Sequence, residues 1–387
     1  MSNLQRIEKI ASWIGAASRI CGAFVLLLVV GHFFLGFVAW GKGLFEPAKV
    51  DAVQKLRAIP VFDGYVDKNE LLAETASARK ARFEPYYHWR TYDIQGKYRN
   101  VGRDGLRRTV QENVRPDAKK VFVLGGSTTW GANVPDQDTM PSKLQSRLGG
   151  AFRVYNFGDT GWVSTQELNY LLHQLALGNV PDYVVFYDGA NDGFAGAYSP
   201  AIPRDPVNLR VHNRNTERLT GWTRLIVDAF ERTNYKLLLD YVMKKIGPAP
   251  LKRWDDDVAG RAGINAQAVV DLYEAHIRQV KALGAEYGFK AFFFWQPNLF
   301  GGARKVLPYE QEIIRSASPI WVKSQQLVYQ KAKTAFSGRE REGVLFLGDI
   351  FEDINEPIYA DWVHVGPRGN EIIGNEIARR LAAVAMK

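Results

Sequence analysis

The stretch VFVLGGSTTWG, residues 121–131, runs from apolar residues directly into two glycines and a cluster of hydroxyl side chains. Its apolar half is typical of a buried strand, so Ser127 would stand where that strand ends. Two glycines could also belong to a phosphate-binding loop, but Ala132 and Asn133 replace the lysine and the hydroxyl residue that such a loop requires. A dinucleotide-binding fingerprint is absent as well. The stretch therefore favours a serine nucleophile.

A serine nucleophile needs two partners, and a second motif supplies both residue types. A serine hydroxyl attacks a carbonyl poorly until a base takes its proton, and a carboxylate fixes the tautomer of that base. In YADWVHVG, Asp361 and His364 are three residues apart, just before a predicted helix. This spacing allows both side chains to lie on one side of a turn. We therefore predict a triad of Ser127 as nucleophile, His364 as base and Asp361 as the orienting carboxylate.

The oxyanion that forms during acyl transfer needs hydrogen-bond donors that are already aimed at it. The candidates are the backbone N–H of Ser127, the backbone N–H of Gly161 and the side-chain amide of Asn191. Glycine at 161 would let the backbone approach the substrate closely. Trp130 and Trp162 flank the predicted pocket; contact with an acyl or sugar group and packing under loops are both open for them.

The chain offers a regular framework for these residues. Five short runs rich in β-branched and aromatic residues alternate with helix-like stretches, which predicts a parallel sheet covered on both faces. In such a sheet, ligands bind beyond the carboxyl ends of the strands, where Ser127, Gly161 and Asn191 would lie. The predicted strands are residues 120–125, 153–158, 182–189, 290–296 and 343–349.

Taken in order, these motifs resemble the four sequence blocks of the SGNH (GDSL-like) hydrolase superfamily. The blocks here are Gly125-Gly126-Ser127, Gly161, Gly189-Ala190-Asn191-Asp192 and Asp361-Trp362-Val363-His364. The first block departs from the family name, because it reads Gly-Gly-Ser-Thr instead of Gly-Asp-Ser-Leu; the replaced aspartate is not a triad member in that family. The resemblance covers roughly residues 116–200 and 265–387. It implies a flavodoxin-like three-layer α/β sandwich with a five-stranded parallel sheet.

The resemblance also implies an activity on O-acyl esters that requires neither a metal nor a cofactor. One hypothesis is a serine esterase that removes acyl groups, above all acetyl, from an extracytoplasmic glycan or lipid. A second is an O-acetyltransferase that modifies a cell-envelope polysaccharide with the same triad and works with a membrane-bound acyl-transfer partner. A third is a catalytically silent assembly or binding subunit, which the intact triad disfavours.

An apolar segment precedes the motifs. Residues 20–40 contain no Asp, Glu, Lys or Arg, and about 20 such residues suffice for a helix to cross a bilayer. A signal peptide is the alternative, but its apolar region usually runs about 7–15 residues. We therefore predict a tail at 1–19 and a transmembrane anchor at 20–40. Flanking charges do not decide the orientation; the signal-anchor layout favours a catalytic domain outside the cytoplasm.

The remainder of the chain divides into an irregular lead-in at 41–115, packed on the core, and an α/β domain at 116–387 with a helical insertion at about 194–262. The insertion is either a cap with a basic face or a solvated addition.

The net charge of +9 over 387 residues is mild, and no nucleic-acid-binding motif is present, so nucleic acid is not a predicted partner. Cys21 is the only cysteine, which excludes an internal disulfide and a thiolate metal site.

Overall fold

The protein divides into two compact units. The structure, a computed structural model, describes residues 3–41, 48–75, 81–198, 233–236 and 255–385. One unit combines residues 1–50 with 216–253, and the other combines 51–215 with 254–387. Most of the predicted insertion, including its basic stretch, lies outside the described residues.

Among the described residues of the first unit, the long helix is α1 (Asn3–Gly41). Its segment Ser18–Gly41 has 24 residues and a mean hydropathy of 2.4. At 1.5 Å per residue this segment is about 36 Å long, which exceeds the hydrocarbon core of a bilayer. The helix is thus long and apolar enough to cross a membrane, and a signal sequence would meet the same criteria.

The second unit is built on a five-stranded sheet, which confirms the predicted fold. The strand order is β4-β3-β5-β6-β7, and every neighbouring pair is parallel. β3 lies between β4 and β5, so the strand that leads to Ser127 is inside the sheet. The strands are β3 (Lys119–Gly125), β4 (Phe152–Asn156), β5 (Tyr183–Asp188), β6 (Lys290–Trp295) and β7 (Val344–Phe346).

Helices cover both faces of this sheet. The described helices of this unit that follow β3 are α4 (Ser127–Trp130), α5 (Met140–Leu148), α6 (Ser164–Ala176), α7 (Ala190–Tyr198), α8 (Asp255–Tyr287), α9 (Pro308–Ser316), α10 (Pro319–Phe336) and α11 (Pro367–Ala385). The core on one face joins Val121 and Val123 of β3 to α5 and α11. The core on the other face joins Phe122 and Leu124 to α6, α8 and α10. Because alternate residues of a strand point to opposite faces, a strand buried on both sides has a continuous apolar sequence.

The lead-in at 41–115 has more regular structure than predicted. It contains helices α2 (Ala48–Arg57) and α3 (Lys68–Thr75), and strands β1 (Ala81–Glu84) and β2 (His88–Thr91), which pair antiparallel. Phe62 and Leu72 form a small apolar cluster with Ala360, which immediately precedes Asp361. The two helices are short, and their apolar residues show too few repeats to reveal a helical period in the sequence.

Candidate active site

Ser127 stands where the sequence predicts it, at the end of a central strand. β3 ends at Gly125, and Ser127 is the first residue of the one-turn helix α4. The first N–H groups of a helix have no partner within the helix. The backbone N–H of Ser127 is thus in a position to donate to a substrate oxygen beside its own hydroxyl.

The predicted triad residues are brought together from opposite ends of the domain. His364 Nε2 lies 2.7 Å from Ser127 Oγ, across 237 residues of chain. His364 Nδ1 lies 2.6 Å from Asp361 Oδ2. A carboxylate can only accept, so Nδ1 carries the proton and leaves Nε2 free to accept from the serine hydroxyl. The His364 side chain is 18% exposed, which leaves the relay accessible at the surface.

The turn between Asp361 and His364 is held in shape by hydrogen bonds of its own. Asp361 Oδ1 accepts from the backbone N–H groups of Val363 at 2.9 Å and His364 at 2.8 Å. Burial by itself would raise the pKa of Asp361, but the nearby His364 ring and these N–H donors outweigh it and lower that pKa. Asp361 is therefore a carboxylate at neutral pH, as a partner for an imidazolium must be.

The structure defines the local geometry of two predicted oxyanion donors, Gly161 and Asn191. Gly161 has a φ of 75°, a left-handed conformation that strongly favours glycine. Asn191 donates from Nδ2 to the carbonyl of Trp162 at 2.8 Å, which fixes the amide and leaves its second hydrogen for another acceptor. A side chain at Gly126 would collide with this amide. Glycine at 126 therefore permits Asn191 to approach the serine loop.

The loop that carries Gly161 is braced by a residue of the lead-in that sequence reasoning missed. Arg90, at 0% exposure, donates to the carbonyls of Phe157 at 2.7 Å and Gly158 at 3.2 Å. Its guanidinium lies over the rings of Trp162 and Tyr170. Thr91 beside it donates to Asp159 of the same loop through its backbone N–H and its hydroxyl. An isolated arginine in a polar stretch gives no sequence signal for such a role.

Two buried amides also support the site without having been predicted. Gln296, which follows β6, accepts from the hydroxyl of Thr128 at 2.6 Å. Gln325 of α10 donates to the carbonyl of Ala190 at 3.1 Å and accepts from Asn298 at 3.0 Å. These bonds tie the serine loop and the Asn191 turn to the strand and helix behind them. Position at a strand exit could have identified Gln296; nothing in the sequence identifies Gln325.

The two tryptophans considered for substrate contact lie in the core. Trp130 is 3% and Trp162 is 1% exposed, and Trp162 donates from Nε1 to the carbonyl of Trp89 at 3.0 Å. Of the two interpretations left open, the structure favours packing under the loops, because buried rings offer no face to a substrate.

Other aromatic rings are grouped around the turn that carries His364. Trp362, between Asp361 and His364, is stacked on Phe300 with a 5.7 Å centroid separation and meets Trp321 edge-on at 4.6 Å. Phe194, one turn after Asn191 in α7, meets Trp321 at 5.4 Å. Trp362, Trp321 and Phe194 are partly exposed. These rings form an apolar wall that links the histidine turn to the asparagine turn.

Beneath the Asn191 turn lies a buried group of three carboxyl side chains. Burial and their mutual repulsion raise the pKa of Glu167 well above its usual value. Burial also raises the pKa of Asp188 to about 7, although the hydroxyl of Tyr273 donates to it at 3.0 Å. Asp192 accepts from the hydroxyl of Ser164 at 2.5 Å. Asp192 is thus part of the scaffold behind the site.

No arrangement of three or more His, Cys, Asp or Glu side chains suited to a metal ion occurs among the residues that the structure describes. The relay of serine, histidine and aspartate has the parts that acyl transfer requires, namely a nucleophile, a base, an orienting carboxylate and N–H donors.

No protein-family model and no curated protein matches the sequence. Solved structures do show similarity. A member of the lipolytic protein G-D-S-L family from Veillonella parvula shares 12% identity and a TM-score of 0.35, over 70% of this chain and 100% of that chain. The carbohydrate acetylesterase Est24 from Sinorhizobium meliloti shares 16% identity and a TM-score of 0.34, over 69% of this chain and 99% of that one.

A third similar structure is the aryl esterase of M. smegmatis, with 15% identity and a TM-score of 0.34 over 69% of this chain and 99% of that chain. At such identities and TM-scores the similarity carries no inference about the activity of this chain. A functional conclusion must come from the site itself.

Proposed function

We propose that the protein is a serine esterase that removes O-acyl groups, above all acetyl, from an extracytoplasmic glycan or lipid. The observation that supports this most directly is the hydrogen-bonded relay Ser127–His364–Asp361, with distances of 2.7 Å and 2.6 Å. A serine whose hydroxyl already meets a histidine acceptor is poised for general-base activation. A structural serine would not need this arrangement.

In the acylation step, His364 Nε2 takes the proton from Ser127 Oγ as the oxygen attacks the ester carbonyl. Asp361 holds the ring and stabilises the imidazolium that forms. The negative charge on the carbonyl oxygen is met by the N–H groups of Ser127 and Gly161 and by the amide of Asn191. His364 then gives its proton to the leaving alcohol, which departs and leaves the acyl group on Ser127.

In the second step, His364 takes a proton from a water molecule as the water oxygen attacks the acyl-serine. His364 then returns that proton to Ser127 Oγ as the bond to the acyl group breaks and the acid is released. If a sugar hydroxyl attacks instead, the same residues transfer the acyl group to a glycan. The O-acetyltransferase hypothesis therefore shares the whole relay and differs only in the acceptor. The silent-subunit hypothesis is disfavoured, because a protein that had lost catalysis would have no need for this hydrogen-bonded geometry.

We further propose that α1 anchors the protein in a membrane, with the catalytic unit on the extracytoplasmic side. Its length and hydropathy support a membrane span. A glycan or lipid of the cell envelope would be the substrate within reach of an enzyme held at that surface. For the transferase alternative, the acyl group would come from a membrane-bound partner.

The test uses the full chain in detergent, with an activated acetyl ester as acyl donor and release of its leaving group as readout. Ser127→Ala should lower kcat by several orders of magnitude, and adding His364→Ala should cost little more, because triad members act as a unit. Ser146→Ala, a change at an exposed serine on α5, is the matched control and should behave as wild type.

A second measurement separates the acceptors. Serine-dependent release that a soluble glycan does not alter supports the esterase, whereas acetate found covalently on the glycan supports the transferase. Wild-type turnover in Ser127→Ala would rule out both, and so would the absence of serine-dependent release in every condition.

A further inference from the structure

Helix α1 carries one face that differs from the rest of its surface. Residues 20–30 are exposed all round, whereas Gly31, His32, Leu35, Gly36, Val38 and Ala39 are partly or fully buried. These positions are spaced by three or four residues, so they lie along one side of a helix. Phe33, Phe34 and Phe37 on the remaining surface are 64–70% exposed. We call Gly31, His32, Leu35, Gly36, Val38 and Ala39 the glycine face.

The glycine face is occupied by a short segment from far along the chain, residues 233–236 of the same compact unit. The backbone N–H of Asn234 donates to His32 Nδ1 at 3.1 Å, and its side-chain amide donates to the His32 carbonyl at 2.8 Å. The hydroxyl of Tyr235 donates to the carbonyl of Leu28 at 2.8 Å. Three polar groups of the segment are thus satisfied by one stretch of an otherwise apolar helix.

The two glycines make this approach possible. A Cβ atom at Gly31 would collide with the hydroxyl and ring of Tyr235, and a Cβ atom at Gly36 would collide with the amide of Asn234. At Gly15 and Gly22 of the same helix, by contrast, a Cβ atom would meet nothing within 4 Å. Small residues at a helix contact are the usual means of close packing in membranes, where hydrogen bonds across helices add to it.

From these contacts we infer that the glycine face of α1 is an intramolecular docking site for residues 233–236. Consequently α1 is a permanent part of the folded protein and is not removed as a signal sequence. A signal peptide that is cleaved off would not be expected to pack against a segment about 200 residues later in the chain. Residues 233–236 of the predicted insertion are accordingly tied to the anchor helix, a role that neither the cap nor the solvated-addition hypothesis includes.

One experiment tests the contact by blocking it. In the full chain purified in detergent, the double variant Gly31→Leu/Gly36→Leu should prevent docking, and the matched control Gly15→Leu/Gly22→Leu should not. Loss of the contact should raise the rate of tryptic cleavage between residues 216 and 253 by about tenfold, since local opening follows the free energy of the local contacts. Equal cleavage rates in the two variants would overturn the docking site.

A second experiment tests proximity and retention together. With Cys21→Ala as background, the pair Gly36→Cys/Asn234→Cys should be joined by a short thiol–thiol crosslinker in isolated membranes, whereas Phe37→Cys/Asn234→Cys should not. Equal crosslinking of both pairs, or of neither, would contradict the inference. The intact mass of the protein from the same membranes should include residues 1–41. A mature chain that starts after residue 41 would also overturn it.

Discussion

At the level of single residues, hydrogen bonds orient the few side chains proposed to act with Ser127. His364 can accept the serine proton because Asp361 fixes the opposite nitrogen of its ring, at 2.6 Å. Asn191 is fixed in turn by the Trp162 carbonyl. Each of these two side chains thus has a partner that orients it before substrate binds. Groups oriented in advance can stabilise the charge of the transition state without first having to move.

We expect Asn191→Ala to lower kcat for an acetyl ester by about 10²–10³, because it removes one of three oxyanion donors. KM should change much less, since the ground-state carbonyl carries little negative charge. Steady-state kinetics on the purified full chain measures both. Asn169→Ala, which removes a partly exposed asparagine that donates to the Tyr86 carbonyl, serves as control. An Asn191→Ala enzyme with unchanged kcat would exclude the amide from the oxyanion site.

At the scale of elements, the strand exits deliver the reacting residues and the lead-in holds one of those exits in place. β2 supplies Arg90 and Thr91, which bind the loop at 157–161 by side-chain and backbone hydrogen bonds. Because this loop carries Gly161, the conformation of this proposed oxyanion donor depends on a hairpin that precedes the sheet in sequence. The lead-in therefore supports the conformation of a loop in the proposed site.

Arg90→Lys should keep a positive charge but lose the fork that reaches the carbonyls of Phe157 and Gly158. We expect kcat to fall by about tenfold or more with little change in KM, since a small displacement of a donor acts chiefly on the transition state. Arg82→Lys, on the exposed strand β1, is the matched control. If Arg90→Lys lowers only the melting temperature and leaves kcat intact, Arg90 has a purely structural role.

At the scale of the whole molecule, the stability of the catalytic unit is coupled to pH through groups behind the site. Ser164 has one hydroxyl hydrogen, which it gives to Asp192, so the His276 contact at 2.9 Å requires the histidine to donate from Nδ1. Burial lowers the pKa of His276 from 6.5 to about 4. The pKa values of the buried pair Glu167 and Asp188 are raised, so their contribution to stability decreases as pH rises, opposite to that of His276.

For His276 the folded state disfavours protonation, so its contribution to stability is present above pH 6.5 and is lost as pH falls towards 4. A downward shift of this size corresponds to about 3 kcal/mol. We expect the melting temperature of wild type to fall more steeply between pH 7 and pH 4 than that of His276→Gln. Thermal melts of both proteins across this range provide the comparison. Parallel curves would show that His276 does not titrate in this way.

Much of the fold could be predicted because the sheet is buried on both faces. A strand in that position must be apolar throughout, and so the five runs stood out from the sequence. The triad residues could be recognised because chemistry restricts them to particular types at strand exits and because Asp361 and His364 are close in the chain. Short helices such as α2 and α3 were missed, because two turns contain too few residues for a period to show.

The sequence predicts the residue types of the proposed relay, the parallel sheet that presents them and an apolar helix of membrane-spanning length. These features depend on residues that are close in the chain or that recur with a regular period, so a sequence pattern can predict them. The folded structure was needed to show that Trp130 and Trp162 are buried. It was also needed to show that Arg90 and Gln325 brace the loops of the site. The contacts of Asn234 and Tyr235 with the two glycines of α1 likewise appear only in the folded structure. Such contacts join residues that are distant in the chain, and their partners are set by packing geometry, which composition and spacing do not encode.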